Sequence, residues 1–374
     1  MLSLSFLLAL QLPVAEPVLV RDALVSTAPG SPTPNVRIPG LAVTSGGTLL
    51  LFAEGRIGAV DPGGEHPIAL VMVRSTDGGE SWSAPTLIAS DPAFDFANPT
   101  PVVDRHTGVI WLGYDRFPDR CGSNADCNTP GNDPADSNSV QTVWVRASHD
   151  DGATLGEPVL LPKPVRTDDG IWWRSAAVGP GSGIQLDQQR DPSRNGRLVI
   201  PGRRIGSRSM DGAGEGGEPF VFISDDHGVT WQLGGVTAGA GANEPEIVEL
   251  ADGRLLMDAR QNVGRHRWRW WSDDGGATWG KPLPGDIAIT PVDASVVRIA
   301  DGRLAFTGPT GPGRHNLGLW LSDDGGVSFR LAGIVADGHA AYSVVQPMPD
   351  GDLAVVYEAT PASTIRFVRV QLRD

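Results

Sequence analysis

Cysteine is nearly absent from this chain. Cys121 and Cys127 are the only two among 374 residues, and both lie in one polar segment with no histidine beside them. Two thiols without further ligands make a poor zinc site, so the sequence favours a disulfide that closes this loop. Such a disulfide would favour export from the cytoplasm.

The sequence also has a deficit of positive charge. Lysine and arginine together number 30 against 44 acidic residues, which gives a formal net charge of −14. Nucleic acids and anionic membrane surfaces are bound through basic patches, so neither is expected as a partner. If the protein binds an anion, local arginines must do so against the overall field.

Long apolar runs are missing, and only residues 2–14 suggest a targeting segment. This stretch is too short to span a bilayer but has the length of a secretory signal core, although no Lys or Arg precedes it. We therefore predict a possible signal peptide at 1–15 and one domain at 16–374; the alternative is an apolar first strand. The protein is expected to be secreted or extracytoplasmic, or cytoplasmic if residues 1–15 are not a signal.

No convincing amphipathic helix is present. The chain has instead 48 Gly, 31 Pro and many runs of four to eight residues rich in Val, Ile, Leu, Thr and Trp. Short apolar runs separated by turn residues are typical of β-strands. The sequence therefore predicts an all-β protein.

One octapeptide recurs along the chain, and such a repeat determines how the rest is interpreted. Asp-Gly and Gly-Gly at its centre supply the positive φ angles of a tight hairpin, and the Thr or Ser and aromatic residue that follow favour a new strand. The copies are residues 75–82 (STDGGESW), 148–155 (SHDDGATL), 224–231 (SDDHGVTW), 272–279 (SDDGGATW) and 322–329 (SDDGGVSF).

The spacing of the copies predicts the architecture. Each interval has room for about four short strands, and radial repetition of four-stranded sheets forms a β-propeller. Three strand-like runs follow the last copy, and residues 17–24 can supply the fourth. We predict a six-bladed β-propeller with four antiparallel strands per blade and a last blade closed by the two termini. The alternative of two β-sandwiches would need a central linker, and none is visible.

The octapeptides resemble the Asp box, Ser-x-Asp-x-Gly-x-Thr-Trp, of sialidases and other propellers. Their Ser and Asp side chains are expected to bond turn amides while the aromatic ring packs between strands. Calcium binding is disfavoured because the boxes lack the acidic pattern of an EF-hand loop. Function must therefore come from residues between the boxes.

Those intervening residues resemble the bacterial exo-α-sialidases over nearly the whole chain. The Arg-Ile-Pro motif at 37–39, followed by residues 52–56 (FAEGR), precedes the first box as it does in that family. The resemblance implies that Arg37, Arg260 and Arg314 bind the carboxylate of a sialic acid, a task suited to planar, permanently charged guanidinium groups. Arg56 is expected to line the site near the substrate's carboxylate or a ring hydroxyl.

The same resemblance implies that Tyr342 is the nucleophile and that Glu244 takes its proton. A neutral phenol avoids the repulsion that an anionic carboxylate would meet at a carbon already bearing a carboxylate. With an ordinary pKa of about 10, a phenol needs such a base.

Asp61 is expected to protonate the leaving oxygen and later to activate water. Glu65 and His66 are rivals for this role. Glu358 resembles the carboxylate that orients the first arginine.

The sequence thus predicts a retaining exo-α-sialidase that acts on sialic-acid-containing oligosaccharides, glycoproteins or glycolipids. No metal or organic cofactor is implied, and we expect a monomer. The alternatives are a trans-sialidase, an anhydrosialidase or a deaminated-sialic-acid sialidase with the same site. A further alternative, from another class, is a non-catalytic Asp-box propeller that binds glycans or proteins.

Overall fold

Antiparallel β-sheets account for nearly all the regular structure of this protein. The computed structural model describes residues 17–25, 35–57, 67–118, 140–162, 173–206, 217–237, 241–360 and 364–372. Asp61, the two cysteines and the possible signal peptide at 1–15 lie outside these residues and stay predictions. The described strands form six blades around a central axis, which confirms the predicted six-bladed β-propeller.

Each blade is built outward from a first strand, and the first strands contact one another around the axis. The blades are composed as follows: blade 1 of β2 (Asn35–Val43), β3 (Leu49–Arg56), β4 (Ala69–Ser75) and β5 (Thr86–Ala89); blade 2 of β6 (Phe94–Val103), β7 (Ile110–Pro118), β8 (Thr142–Ser148) and β9 (Val159–Leu160); blade 3 of β10 (Trp173–Val178), β12 (Leu198–Gly206), β13 (Glu218–Ser224) and β14 (Gln232–Val236); blade 4 of β15 (Ala242–Glu249), β16 (Leu255–Gln261), β17 (His266–Ser272) and β18 (Leu283–Ala288); blade 5 of β19 (Ser295–Arg298), β20 (Leu304–Pro309), β21 (His315–Ser322) and β22 (Arg330–His339); blade 6 of β23 (Ser343–Pro347), β24 (Leu353–Thr360), β25 (Thr364–Leu372) and β1 (Pro17–Val25).

Two features depart from the simple four-stranded pattern. In blade 3 a short fifth strand, β11 (Ile184–Gln185), continues the path of the first strand and also pairs with β12. A single 3-10 turn at Pro192–Arg194 is the one helical element among the described residues. None of these residues forms a helix long and apolar enough to cross a membrane.

The repeated octapeptides connect the third and fourth strands of blades 1 to 5. In the first copy, the Ser75 hydroxyl accepts a hydrogen bond from Gly79 N at 2.9 Å, and the Asp77 carboxylate accepts one from Ser81 N at 3.0 Å. The same two bonds recur in the other four copies. Gly79 has a φ of 88°, which a residue with a side chain rarely adopts. The expected structural role of the Ser and Asp residues is therefore confirmed.

The aromatic residue that ends a box packs towards the neighbouring blade. Trp82 of blade 1 meets Phe367 of blade 6 edge-on, with ring centroids 5.4 Å apart. Clusters of buried apolar side chains likewise join strands of adjacent blades. The core is thus a ring of interfaces between sheets, which fixes the blades relative to one another.

The last blade is closed by strands from both ends of the chain, as the sequence predicted. β1 pairs antiparallel with β25 from Pro17, opposite Leu372, to Val25, opposite Ile365.

Strand direction separates the two faces of the propeller. First strands begin, and second strands end, at one face; third strands end in the Asp boxes at the opposite face. Midway along the axis the inner strands approach closely: a side chain at Gly40 would lie 2.3 Å from Pro99 O, and one at Gly179 would lie 2.1 Å from Pro245 O. Glycine at these positions lets neighbouring blades come together around the axis.

Candidate active site

A buried tyrosine lies at the centre of the face where the first strands begin. The Tyr342 hydroxyl donates a hydrogen bond to Glu244 Oε1 at 2.7 Å. Arg260 Nη1 lies 2.8 Å from the same hydroxyl and 2.6 Å from Glu244 Oε2. Tyr342 and Glu244 are each 6% exposed. Phenol, carboxylate and guanidinium therefore form one compact hydrogen-bonded group.

The strands explain how these three side chains meet. Tyr342 stands immediately before β23, and Arg260 lies near the end of β16. Glu244 lies in an irregular stretch of β15, where the register with β16 shifts between Ala242 and Pro245. This bulge changes the direction of the Glu244 side chain near the start of the strand, as bulges beside functional sites often do.

The electrostatics of the group assign its protons. Burial opposes ionisation of Glu244, but the positive charges of Arg260 and Arg203 hold its pKa below the usual value. Burial and the negative charge of Glu244 raise the pKa of Tyr342 well above 10. In the free protein, Tyr342 is therefore a neutral phenol, hydrogen-bonded to an ionised carboxylate that can accept its proton.

Arg37 is held beside this group by Glu358. Its Nε lies 3.1 Å from Glu358 Oε1, and its Nη2 lies 3.4 Å from Oε2. Glu358 Oε1 also accepts a hydrogen bond from Ile38 N at 2.9 Å, and Ile38 has the unusual φ of 54°. One buried carboxylate thus fixes both the guanidinium and the strained backbone that carries it.

Arg314 completes a set of three arginines around the tyrosine. Its guanidinium carbon lies 5.5 Å from the centre of the Tyr342 ring, and that of Arg37 lies 5.7 Å from it. Arg314 follows Gly313, whose φ is 71°, in the turn between β20 and β21. The structure brings together six of the eight residues singled out in the sequence: Arg37, Glu244, Arg260, Arg314, Tyr342 and Glu358. Asp61 lies outside the described residues.

Arg56, the remaining residue of the eight, is paired with Glu54 on the same strand. Arg56 Nε donates to Glu54 Oε2 at 3.0 Å, Nη2 contacts the same oxygen, and both residues are at most 3% exposed. Residues two apart on a strand point to the same face, so the order Glu54-Gly55-Arg56 could have predicted this pair.

A second hydrogen-bonded group surrounds Asp115 in blade 2. Its carboxylate accepts hydrogen bonds from Asn98 Nδ2 at 2.7 Å, Gln141 Nε2 at 3.1 Å and Val178 N at 2.8 Å. Burial, partly offset by the charge of Arg203, raises the pKa of Asp115 to about 7.

Asp115 belongs to a pattern that only the folded chain reveals. Carboxylates on second strands accept hydrogen bonds from first-strand backbone of the next blade: Glu358 from Ile38 N at 2.9 Å, Glu54 from Asn98 N at 3.1 Å, and Asp115 from Val178 N at 2.8 Å. These bonds satisfy amides at irregular points of the inner strands. Each partner is distant in sequence, which is why motif reading missed Glu54 and Asp115 in this role.

In the part of the chain that the structure describes, no group of three or more His, Cys, Asp or Glu is arranged to hold a metal ion. The groups positioned for chemistry are the phenol, the carboxylates and the guanidiniums. Such a set can bind an anion and move a proton between phenol and carboxylate.

Residues 47–355 match the family model described as BNR repeat-like domain. The chain belongs to this BNR repeat-like domain family. A sialidase from Micromonospora viridifaciens is 31% identical over 355 residues, which make up 91% of this chain and 52% of that protein. The resemblance to bacterial sialidases that the motifs predicted is thereby confirmed.

Solved structures agree with this BNR repeat-like assignment. A Hadza microbial sialidase superposes with a TM-score of 0.74 at 25% identity, covering 93% of this chain and 68% of that one. A leech intramolecular trans-sialidase has a TM-score of 0.73 at 21% identity, covering 93% of this chain and 69% of that one, which shows a shared fold. The chain spans about half the length of the curated relatives it matches, at 52%, 42% and 51% of the first three.

Proposed function

We propose that this BNR repeat-like protein is a retaining exo-α-sialidase that removes terminal α-linked sialic acids from glycoconjugates. The observation that carries the proposal is the hydrogen bond between the neutral Tyr342 phenol and the ionised Glu244, enclosed by three arginines. The similarity to the Micromonospora sialidase supports the same conclusion.

Substrate binding is assigned to the arginines. The carboxylate of a sialic acid is anchored by Arg37, Arg260 and Arg314, since guanidinium groups bind carboxylates through short, charge-assisted hydrogen bonds. Glu358 keeps Arg37 in place before the substrate arrives, which reduces the ordering needed on binding. Arg56, held by Glu54, lines the site near the carboxylate or a ring hydroxyl.

In the first step the Tyr342 oxygen forms a bond to the anomeric carbon while the bond from that carbon to the aglycone oxygen breaks. Glu244 accepts the phenolic proton, and Asp61 donates a proton to the leaving oxygen. The arginines hold the substrate's carboxylate while positive charge develops on the sugar ring.

In the second step water attacks the anomeric carbon and the bond to the Tyr342 oxygen breaks. Asp61 accepts a proton from the water, and Glu244 returns its proton to the tyrosine. Two displacements at one carbon give retention of configuration.

A fluorogenic α-sialoside assay on wild type and Tyr342→Phe tests the proposal. Tyr342→Phe preserves ring packing but removes the nucleophilic oxygen, so turnover should be lost while the circular dichroism spectrum stays that of a β-protein. NMR spectroscopy of the first sugar released should show the α-anomer. A wild type that releases nothing from α-sialosides, or a Tyr342→Phe variant as fast as wild type, contradicts the proposal.

The same NMR experiment identifies the acceptor. Free sialic acid indicates hydrolysis, whereas a transfer product or an anhydro sugar would assign the site to a transferring or anhydro-forming enzyme. Parallel assays with a deaminated sialoside measure the preference at the amino position.

A further inference from the structure

Two buried carboxyl groups that the proposed reaction does not use belong to the electrostatic surroundings of Glu244. They belong to Asp293, just before β19, and Glu246, two residues beyond Glu244 on β15. Each residue is 1% exposed. A carboxylate buried this deeply is costly unless it is paired and hydrogen-bonded.

The nearest positive group to Asp293 is already engaged. Arg267 donates hydrogen bonds to Val292 O at 2.8 Å and to Ala294 O at 3.3 Å, the backbone carbonyl groups on both sides of Asp293. Its Nε contacts the carboxylate of Asp258. Arg267 Nη2 lies 3.8 Å from Asp293 Oδ1, and that oxygen has no hydrogen-bond partner among the described residues.

Two further guanidiniums each have a close acidic partner. Arg269 Nε lies 2.9 Å from Asp258, and Arg260 Nη1 lies 2.6 Å from Glu244. Glu246 forms no ion pair with the described residues, and its Oε1 has no hydrogen-bond partner among them. Of these four acids, Asp258 and Glu244 have a described guanidinium within hydrogen-bond distance, whereas Asp293 has one only at 3.8 Å and Glu246 has none.

Burial and neighbouring negative charge also raise the pKa values of these two acids. Burial and the negative charge of Glu244 raise the pKa of Asp293 well above its usual value, against the opposing effect of Arg267 and Arg260. Burial raises the pKa of Glu246 well above its usual value, and an ionised Asp293 would raise it further. The ionised Glu244 therefore disfavours ionisation of Asp293.

We propose that Asp293, buried and without a close positive partner among the described residues, is a positioning residue that stays neutral, so that Arg260 faces the single negative charge of Glu244. An ionised Asp293 would compete with Glu244 and with the substrate's carboxylate for the positive charge of Arg260. This inference rests on the proposed function, because it assigns the role of Asp293 to the binding of an anionic sugar.

The catalytic test compares Asp293→Asn with Glu246→Gln as a matched control. Both replace a buried carboxyl by a neutral amide, but the strongest charge acting on Glu246 is Asp293 rather than Glu244. The kcat/KM for a fluorogenic sialoside and the Kd of a carboxylate transition-state analogue are measured from acidic to alkaline pH.

In wild type, binding should weaken as alkali removes the Asp293 proton. Asp293→Asn should extend the alkaline limb to higher pH, and a displacement of one pH unit corresponds to about a tenfold higher kcat/KM on that limb. Glu246→Gln should displace the alkaline fall in kcat/KM less than Asp293→Asn does. The inference is overturned if the alkaline fall in kcat/KM of Asp293→Asn coincides with that of wild type, or if the folded variant is inactive at every pH. If Asp293→Asn does not fold, Asp293→Ser, which is smaller and also neutral, takes its place.

A measurement of unfolding free energy tests, independently of catalysis, whether Asp293 is protonated in the folded protein. Because the folded state raises the pKa of Asp293 above the unfolded value of about 3.9, the unfolded chain binds fewer protons between the two values and stability falls as pH rises. Urea unfolding should show this decline in wild type and a smaller one in Asp293→Asn.

If the unfolding free energies of wild type and Asp293→Asn change in parallel with pH, Asp293 is not protonated in the folded protein and the inference is refuted. If instead wild type cleaves no sialoside, the proposed function fails while the unfolding curves still decide the state of Asp293.

Discussion

Replacing Glu244 with glutamine tests the role of the buried pair most directly. The amide has nearly the shape of the carboxylate and can still accept a hydrogen bond from the Tyr342 hydroxyl, now 2.7 Å from Oε1. It cannot take up the phenolic proton, and it removes the negative charge 2.6 Å from Arg260. The substitution therefore separates proton transfer from packing.

The expected kinetic effect follows from the size of general acid–base catalysis. Such proton transfers contribute about 100- to 10,000-fold, which corresponds to roughly 3–5 kcal/mol in the barrier. The KM should stay unchanged or fall, because Arg260, freed from Glu244, can bind the substrate's carboxylate more fully. We expect kcat to fall by about two to four orders of magnitude while binding of a carboxylate inhibitor is preserved.

Stability must be followed alongside activity. Breaking a buried ion pair destabilises proteins by about 3–5 kcal/mol, and the side chains of Glu244 and Arg260 are 8% and 19% exposed. Glu218→Gln is a matched control, since the side chain of Glu218 is 40% exposed and its pair with Arg204 should contribute at most about 1 kcal/mol. Thermal melts establish that each variant is folded at the assay temperature. A folded Glu244→Gln enzyme with wild-type kcat would refute the assignment of Glu244 as the base.

Three further predictions address other parts of the molecule. Arg314→Ala should weaken binding of a carboxylate transition-state analogue by roughly 10- to 100-fold, the usual size of a hydrogen bond to a charged group; unchanged calorimetric affinity would remove Arg314 from the anion site. Asp274→Ala in the fourth Asp box, where the carboxylate accepts from Thr278 N at 2.8 Å, should lower unfolding free energy by about 0.5–2 kcal/mol without changing kcat; a large drop in kcat of the folded variant would contradict the structural role of the boxes. Asp115 has a folded-state pKa of about 7 against an unfolded value of about 3.9, so its stability contribution declines between those pH values. Asp115→Asn should lessen that decline in urea unfolding, and an unaltered pH profile would count against the raised pKa.

The blade count was predictable from the sequence because its signals are local. A box such as residues 272–279 contains the serine, aspartate and glycines whose hydrogen bonds and positive φ angles make its own turn. Five copies then fix the spacing of the sheets, and the alternating runs between them supply the strands. Even closure by residues 17–25 followed from counting strands in the last interval.

The candidate site was predictable in part, for a different reason. Resemblance to sialidases singled out Arg37, Glu244 and Tyr342 and paired Glu358 with the first arginine; without that resemblance, no local pattern gives these contacts. The ion pair between Arg37 and Glu358 joins residues 321 positions apart. Likewise, the effect of Glu244 on Asp293 depends on how blades 4 and 5 meet, and no local pattern encodes such a juxtaposition.

The closure of blade 6 ties the site to the start of the chain. β1 is the outermost strand of the sheet that also contains Glu358, and Tyr342 immediately precedes that sheet's first strand. Proteolysis that removed residues 17–25 would leave every described site residue in the chain. It would also expose β25 as an unpaired edge strand. An unpaired edge invites association with another chain. Such a clipped form should therefore lose activity through self-association, a route of inactivation in which no site residue is altered.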